Sequence, residues 1–160
     1  MKLYVMRHGE ACSPTLCAGV VQPDQERALT AHGHEEAKTA GEWLASQVEK
    51  IDLVIVSPYV RAQQTWHEVA QHVAAEVIET SSDITPEGDA ELFASSLLAR
   101  LQIEPAEHVL LVSHMPFVCY LTAYLDRTVQ PPLFPTAGIA QLDLEPLAMQ
   151  GFWQGMHCQD

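Results

Sequence analysis

The chain has 160 residues, enough for one domain that buries about 68–70% of its unfolded surface. Eight Lys and Arg stand against 21 Asp and Glu, and the resulting formal charge of −13 argues against nucleic acid and anionic membrane as partners. The four cysteines (Cys12, Cys17, Cys119, Cys158) include no C-x-x-C pair, and no apolar run reaches the ~18 residues of a membrane span, so a cytoplasmic, reduced protein is expected.

Lys2-Leu3-Tyr4-Val5-Met6 is short and β-prone and predicts a buried first strand. A loop rich in Pro, Gly and small residues follows from Gly9 to about Leu29. Thr30 can cap a helix running to about Gln47, with Ala37, Ala40, Gly41, Leu44 and Val48 at helical spacing. Ile51 to Val56 is apolar on both faces, as a central parallel strand is.

Ser57-Pro58 predicts a helix start, with Ser at the N-cap and Pro at the first helical position. That helix is expected to run to about Ala75, with Ala62, Thr65, Val69, Ala70 and Val73 on one face. A short strand is predicted over Val77–Thr80 and a loop over Thr85–Asp89. A third helix follows, with Leu92, Phe93, Leu97 and Leu101 turned inward. Val109–Ser113 is another apolar strand with His114 directly after it, and Pro116 to about Asp126 suits a fourth helix. Gly138–Leu144 and Gln150–Met156, separated by Glu145-Pro146, suit a C-terminal hairpin. The alternation of strand and helix predicts an α/β three-layer sandwich, one domain over residues 1–160, with a mostly parallel central sheet flanked by helices.

In such sheets reactive side chains gather where strands reach their carboxyl edge. Arg7 and His8 follow the first strand, Arg61 lies just beyond the second long strand, and His114 follows the Val109–Ser113 strand. Arginine offers a planar, permanently charged fork for phosphate oxygens, and a helix start adds unpaired N–H groups. A neutral imidazole between them can attack phosphorus and form a covalent phosphoramidate. A second histidine, protonated or donating through its N–H, can stabilise the oxygens in flight. Gly9 leaves room for close approach, and Ser57 heads the helix start. Taken singly, His114 has a structural reading as a hydrogen-bonded strand-end residue, and Arg61 as a solvated helix residue. Those readings do not explain why each stands at the edge of a separate strand. His32-x-His34 with Glu35 and Glu36 lacks a metal-site spacing and reads as solvated helix surface, so no metal and no cofactor is expected.

Several segments resemble the histidine phosphatase superfamily, with its phosphoglycerate-mutase-like fold, and within it the small bacterial SixA-type phosphohistidine phosphatases. They are Met6-Arg7-His8-Gly9-Glu10, Arg27-Ala28-Leu29-Thr30-Ala31-His32-Gly33, Val56-Ser57-Pro58-Tyr59-Val60-Arg61-Ala62-Gln63-Gln64-Thr65, Ile84-Thr85-Pro86-Glu87-Gly88-Asp89, Val112-Ser113-His114-Met115-Pro116 and Thr136-Ala137-Gly138-Ile139-Ala140. The resemblance implies His8 as phosphoryl acceptor, Arg7 and Arg61 as phosphate clamps and His114 as the fourth pocket residue. Gly9 and Ser57, with Arg27 and Ala137 from the quoted segments, make up the expected substrate-binding set.

Larger members insert helical segments over the pocket, for which this chain has no room. An open pocket suits a phosphoryl group displayed on a protein. Family members acting on alkoxide leaving groups use a Glu or Asp as general acid, and Asp83, Glu87 and Asp89 are the candidates here. Each also has a structural reading, as a loop carboxylate or, for Asp89, as a helix N-cap. A phosphohistidine substrate relaxes the demand, because its imidazole, with an ordinary pKa of roughly 6.5, leaves readily once protonated. The implied activity is a phosphohistidine phosphatase acting on histidine-phosphotransfer or phosphocarrier proteins. The rival readings are a small-metabolite phosphomonoesterase or mutase, and a phosphoprotein-binding module with vestigial activity.

Overall fold

The structure is a computed structural model that describes residues 1–14 and 21–158. Cys17 and the middle of the expected Gly9–Leu29 loop lie outside the described residues. Six strands, β1 (Lys2–Arg7), β2 (Lys50–Val56), β3 (Ala74–Thr80), β4 (His108–Ser113), β5 (Ile139–Glu145) and β6 (Gln150–His157), form one sheet in the order β3-β2-β4-β1-β5-β6. β3, β2, β4 and β1 run parallel, and β5 and β6 add an antiparallel hairpin, as expected. Four helices, α1 (Ala31–Gln47), α2 (Val60–Ala70), α3 (Ala90–Ile103) and α4 (Phe117–Leu125), cover the two faces. No helix among the described residues is long and apolar enough to cross a membrane.

The side-chain period of two divides the core. Leu3, Val5, Leu53, Ile55, Val109 and Leu111 point to one face and pack with α3 and α4 residues such as Leu97, Leu101, Phe117 and Leu121. Tyr4, Met6, Val54, Val56, Leu110 and Val112 point to the other and pack with Ala40, Leu44, Ala62, Trp66 and Val69 of α1 and α2. Strands buried on both faces need continuous apolar sequence, which is how β2 and β4 read.

Three details depart from expectation. Ser57 is not a helix N-cap. Its N–H donates to the Val112 carbonyl at 3.0 Å and keeps the residue in the sheet, while Pro58 favours an extended residue before it. α2 starts instead at Val60, with Tyr59 at the N-cap and no side-chain cap. At its far end α2 stops at Ala70, because Ala74 and Ala75 pair with Lys50 and Ile51 in the edge strand β3, so sheet pairing overrides the helix preference of alanine. Leu92 is 66% exposed. Asp89 caps α3 by accepting from the Leu92 N–H at 3.0 Å, and the phase this sets turns Phe93, Ala94, Leu97, Leu98 and Leu101 inward and leaves Leu92 outside.

Thr30 caps α1 as expected, its hydroxyl accepting from the Gly33 N–H at 2.9 Å. The start of α1 lies against the segment that follows β1. A Cβ on Gly9 would sit 2.5 Å from the Gly33 carbonyl oxygen, and one on Gly33 would collide with the Glu10 backbone. Gly9 is therefore required for backbone packing behind the strand end, a different reason from the ligand approach expected of it. Gly33→Ala is expected to lower unfolding free energy by about 2 kcal/mol, the cost of overpacking a close backbone contact. Denaturant titration measures this, and an unchanged midpoint would show that the contact is slack.

Candidate active site

β1 and β4 are parallel neighbours with Arg7 opposite Ser113, so their carboxyl ends deliver His8 and His114 side by side, ring centroids 5.1 Å apart. The His8 backbone is held from both sides: its N–H donates to the Ser113 carbonyl and its carbonyl accepts from the Ala137 N–H, each at 3.0 Å. Ala137 is fully buried and adopts a left-handed φ of 58° to make this turn before β5.

The His8 ring is oriented by groups whose roles leave no ambiguity. Nδ1 lies 2.6 Å from the Gly9 carbonyl, which can only accept, so Nδ1 carries the proton. Nε2 therefore presents a lone pair, and it accepts from Arg61 Nε–H at 3.2 Å. Burial, reinforced by the Arg61, Arg7 and Arg27 guanidiniums and opposed by the Gly9 carbonyl, pushes the His8 pKa down to about 4. The imidazole is neutral at physiological pH.

His114 is 1% exposed, with Nε2 2.7 Å from Ser57 Oγ. The serine hydroxyl already accepts from the Tyr59 N–H at 3.3 Å and can give its own proton to Nε2, which leaves the ring proton on Nδ1. Burial foremost, then His8 and Arg61, lowers the His114 pKa to about 2, so donation through a neutral N–H is the role open to it. Among the described residues, two buried side-chain nitrogens lack a hydrogen-bond partner, His114 Nδ1 and Arg7 Nε. Each would gain one from an oxyanion. Arg7 is anchored through Nη1 to the Phe134 carbonyl at 2.7 Å.

Arg61 is 4% exposed and spends all three nitrogens: Nε on His8, Nη1 on the Asp24 carbonyl at 2.6 Å, and Nη2 on Asp24 Oδ2 at 3.1 Å. Its guanidinium lies 5.0 Å from the centre of the Tyr59 ring, which in turn leans on His114 with centroids 4.9 Å apart. Arg27 joins the group through the same aspartate, donating from Nη1 to Asp24 Oδ1 at 2.9 Å. Arg7, His8, Ser57, Arg61 and His114 thus meet in one place, Arg27 reaches it through Asp24, and Gly9 and Ala137 take part through backbone.

The carboxylate candidates stand apart. Asp89 is engaged as the α3 N-cap. Asp83 sits in a 3-10 turn, Ser82–Ile84, and shares a surface cavity with Glu87, Asp89 and Leu92. Among the described residues, none of the three hydrogen-bonds to His8, Arg7, Arg61 or His114. His34 pairs with Glu68 at 3.1 Å, while Glu36 accepts from the Glu10 N–H at 2.9 Å and from Thr136 Oγ1 at 2.7 Å. No three His, Cys, Asp or Glu side chains cluster as a metal ion requires among the described residues.

Asp24 escaped the sequence reading, while Tyr59 and Thr65, quoted there only within a segment or on a helix face, and Glu36, weighed there only as a metal ligand, prove to brace the site. Thr65 accepts from the Gly9 N–H at 3.0 Å and donates to the Arg61 carbonyl at 2.7 Å, tying the loop after His8 to the helix of Arg61. A polar residue on the apolar face of α2 was the available signal for Thr65. For Asp24 there was none beyond its closeness to Arg27 in sequence.

Residues 3–83 match the histidine phosphatase superfamily (branch 1). The chain is 36% identical to phosphohistidine phosphatase SixA of Escherichia coli (strain K12), across 99% of this chain and 95% of that protein. It is 37% identical to the phosphohistidine phosphatase SixA homolog of Haemophilus influenzae, across 89% of this chain and 87% of that one. The solved structure of the protein histidine phosphatase SixA complexed with tungstate superposes with a TM-score of 0.88 at 34% identity, covering 99% of this chain and 97% of that one. With its strand-end histidines and arginines placed as described, the chain belongs to the histidine phosphatase superfamily, branch 1.

Proposed function

We propose that this phosphatase removes phosphoryl groups from phosphohistidine on other proteins, by way of a covalent intermediate on His8. The observation that carries the reading is the His8 ring: neutral, its proton pinned to the Gly9 carbonyl, and its Nε2 lone pair facing Arg61. That atom attacks phosphorus, and the P–N bond to the substrate imidazole breaks, the substrate ring, already protonated on its other nitrogen, leaving as neutral imidazole. Arg61 turns its Nε–H from His8 to a phosphoryl oxygen, which frees the lone pair as it stabilises the transferring group. Arg7 Nε and His114 Nδ1 supply further donors to the same oxygens. Water then attacks phospho-His8, the new P–N bond breaks, and inorganic phosphate leaves.

Three considerations support phosphohistidine over an alkyl phosphate. The relatives in Escherichia coli and Haemophilus influenzae carry that activity in their names over most of their length. None of the expected acids Asp83, Glu87 and Asp89 hydrogen-bonds to Arg7, His8, Arg61 or His114 among the described residues, and the carboxylate that reaches Arg61, Asp24, is held as an anion by two guanidiniums, whereas an alkoxide leaving group needs a proton donor and a protonated imidazole does not. The chain reads as one domain without a lid insertion, which suits a phosphoryl group borne on a protein. The expected partners are histidine-phosphotransfer domains or phosphocarrier proteins. The three described cysteines Cys12, Cys119 and Cys158 are free, as suits the cytoplasm.

Acid-sensitive, base-stable label from a 32P-phosphohistidine protein should appear on the wild-type chain after rapid quench and be absent from His8→Ala, in which turnover falls by at least about 10³-fold. Label persisting in His8→Ala would move the nucleophile elsewhere. Side by side, kcat/KM for a phosphohistidine protein should exceed that for simple phosphomonoesters, and the reverse order would assign the site to a small metabolite.

The acid limb of kcat/KM, followed with an acid-stable aryl phosphate, should reflect His8 near pH 4 and not an ordinary imidazole near pH 6.5. The same depression makes the folded chain bind fewer protons than the unfolded one between those values. Stability present above pH 6.5 is therefore lost as pH falls toward 4, with a shallower loss in His8→Asn. Equal slopes in thermal unfolding of the two proteins would show that His8 protonates normally.

A further inference from the structure

We infer that Asp24 is an internal competitor for the phosphoryl clamp, a penalty that a docked phosphoprotein can offset with contacts elsewhere and that free phosphate and small phosphate esters cannot. The inference rests on the reading of Arg61 as a phosphoryl-binding residue. Asp24 offers Arg61 two oxygens, its carbonyl and Oδ2, and offers Arg27 the third, Oδ1. A carboxylate and a phosphoryl face present the same paired oxygens to a guanidinium fork. Partial burial would raise the Asp24 pKa, but the Arg27 and Arg61 guanidiniums outweigh it and hold the carboxyl below the usual range, so Asp24 competes as an anion.

The placement of Asp24 allows it to yield. It opens a 3-10 turn, Asp24–Glu26, in which no residue is buried, and its side chain is 53% exposed while that of Arg61 is 5% exposed. Arg61 packs against the Tyr59 ring, so an incoming phosphoryl group displaces the exposed aspartate while the buried guanidinium keeps that ring. Every ligand meets this competition equally. A phosphoprotein offsets it with contacts made outside the pocket, whereas inorganic phosphate or a small ester brings only its oxygens. Product phosphate is expelled for the same reason, since Asp24 returns to both arginines as it leaves.

The rival role for Asp24 is to position Arg61, and the two predict opposite signs. Calorimetric titration with inorganic phosphate, with phosphate inhibition of turnover as a second readout, would be run on the wild-type chain, Asp24→Asn, Asp24→Ser and Arg61→Gln. Competition predicts that both Asp24 variants bind phosphate about tenfold more tightly, the scale of two partly exposed ion pairs. Their kcat/KM for p-nitrophenyl phosphate should rise by a similar factor, and that for a phosphohistidine protein by the same factor, while Arg61→Gln loses phosphate binding. Unchanged or weaker phosphate binding in both Asp24 variants, with Arg61→Gln still deficient, overturns the inference and leaves the clamp reading standing. Undiminished phosphate binding by Arg61→Gln overturns the clamp reading and the inference with it.

Discussion

The parallel pairing of β1 with β4 is the contact on which the rest of the site depends. Its register sets Arg7 against Ser113, and one residue further on both strands leave the sheet at a histidine. The hydrogen bond from His8 N–H to the Ser113 carbonyl extends the ladder by one step and fixes the His8 loop relative to its neighbour. A slip of one residue would turn every side chain of β1 to the opposite face, exchanging Leu3 and Val5 with Tyr4 and Met6 between two different sets of helices. The core therefore enforces the register, and the register enforces the distance between the two imidazoles.

Electrostatics at this edge run against the character of the whole molecule. Three of eight basic residues, Arg7, Arg27 and Arg61, are concentrated around His8 in a chain of net charge −13. Guanidiniums cannot shed their protons, whereas imidazoles can, so crowding both kinds of group into a buried space leaves the histidines neutral. Neutrality is what a nitrogen nucleophile requires, and the same arginines supply the field for an anion. Under the proposed mechanism, one arrangement prepares both the attacking atom and the group it attacks.

Behind the reacting groups lies a frame of close backbone contacts and small polar side chains. Gly9 and Gly33 let the loop after β1 touch the start of α1, Thr65 joins that loop to Arg61 of α2, and Glu36 bridges Glu10 to Thr136. Each link connects segments far apart in the chain, so the pocket is held by pieces of nearly every layer. This distribution explains why no short stretch of the molecule could form the site by itself.

Much of this was legible in the residues alone. Apolar period and caps located all six strands and four helices, because burial on two faces leaves continuous apolar runs and Thr30 and Asp89 sit where helix N–H groups need acceptors. Four candidate residues beyond three strand ends, Arg7 and His8 after β1, Arg61 after β2 and His114 after β4, could be named because topology sends parallel strand ends to one edge. What only the tertiary structure decided were the choices among partners. Ser57 could cap a helix or stay in the sheet and turn its hydroxyl to His114, and the Val112 carbonyl settled it. Ala74 and Ala75 favour helix until an adjacent strand edge is there to pair with. The tautomer of His8 and the two arginines gathered by Asp24 depend on atoms brought together from distant segments, and no local pattern encodes a meeting of that kind.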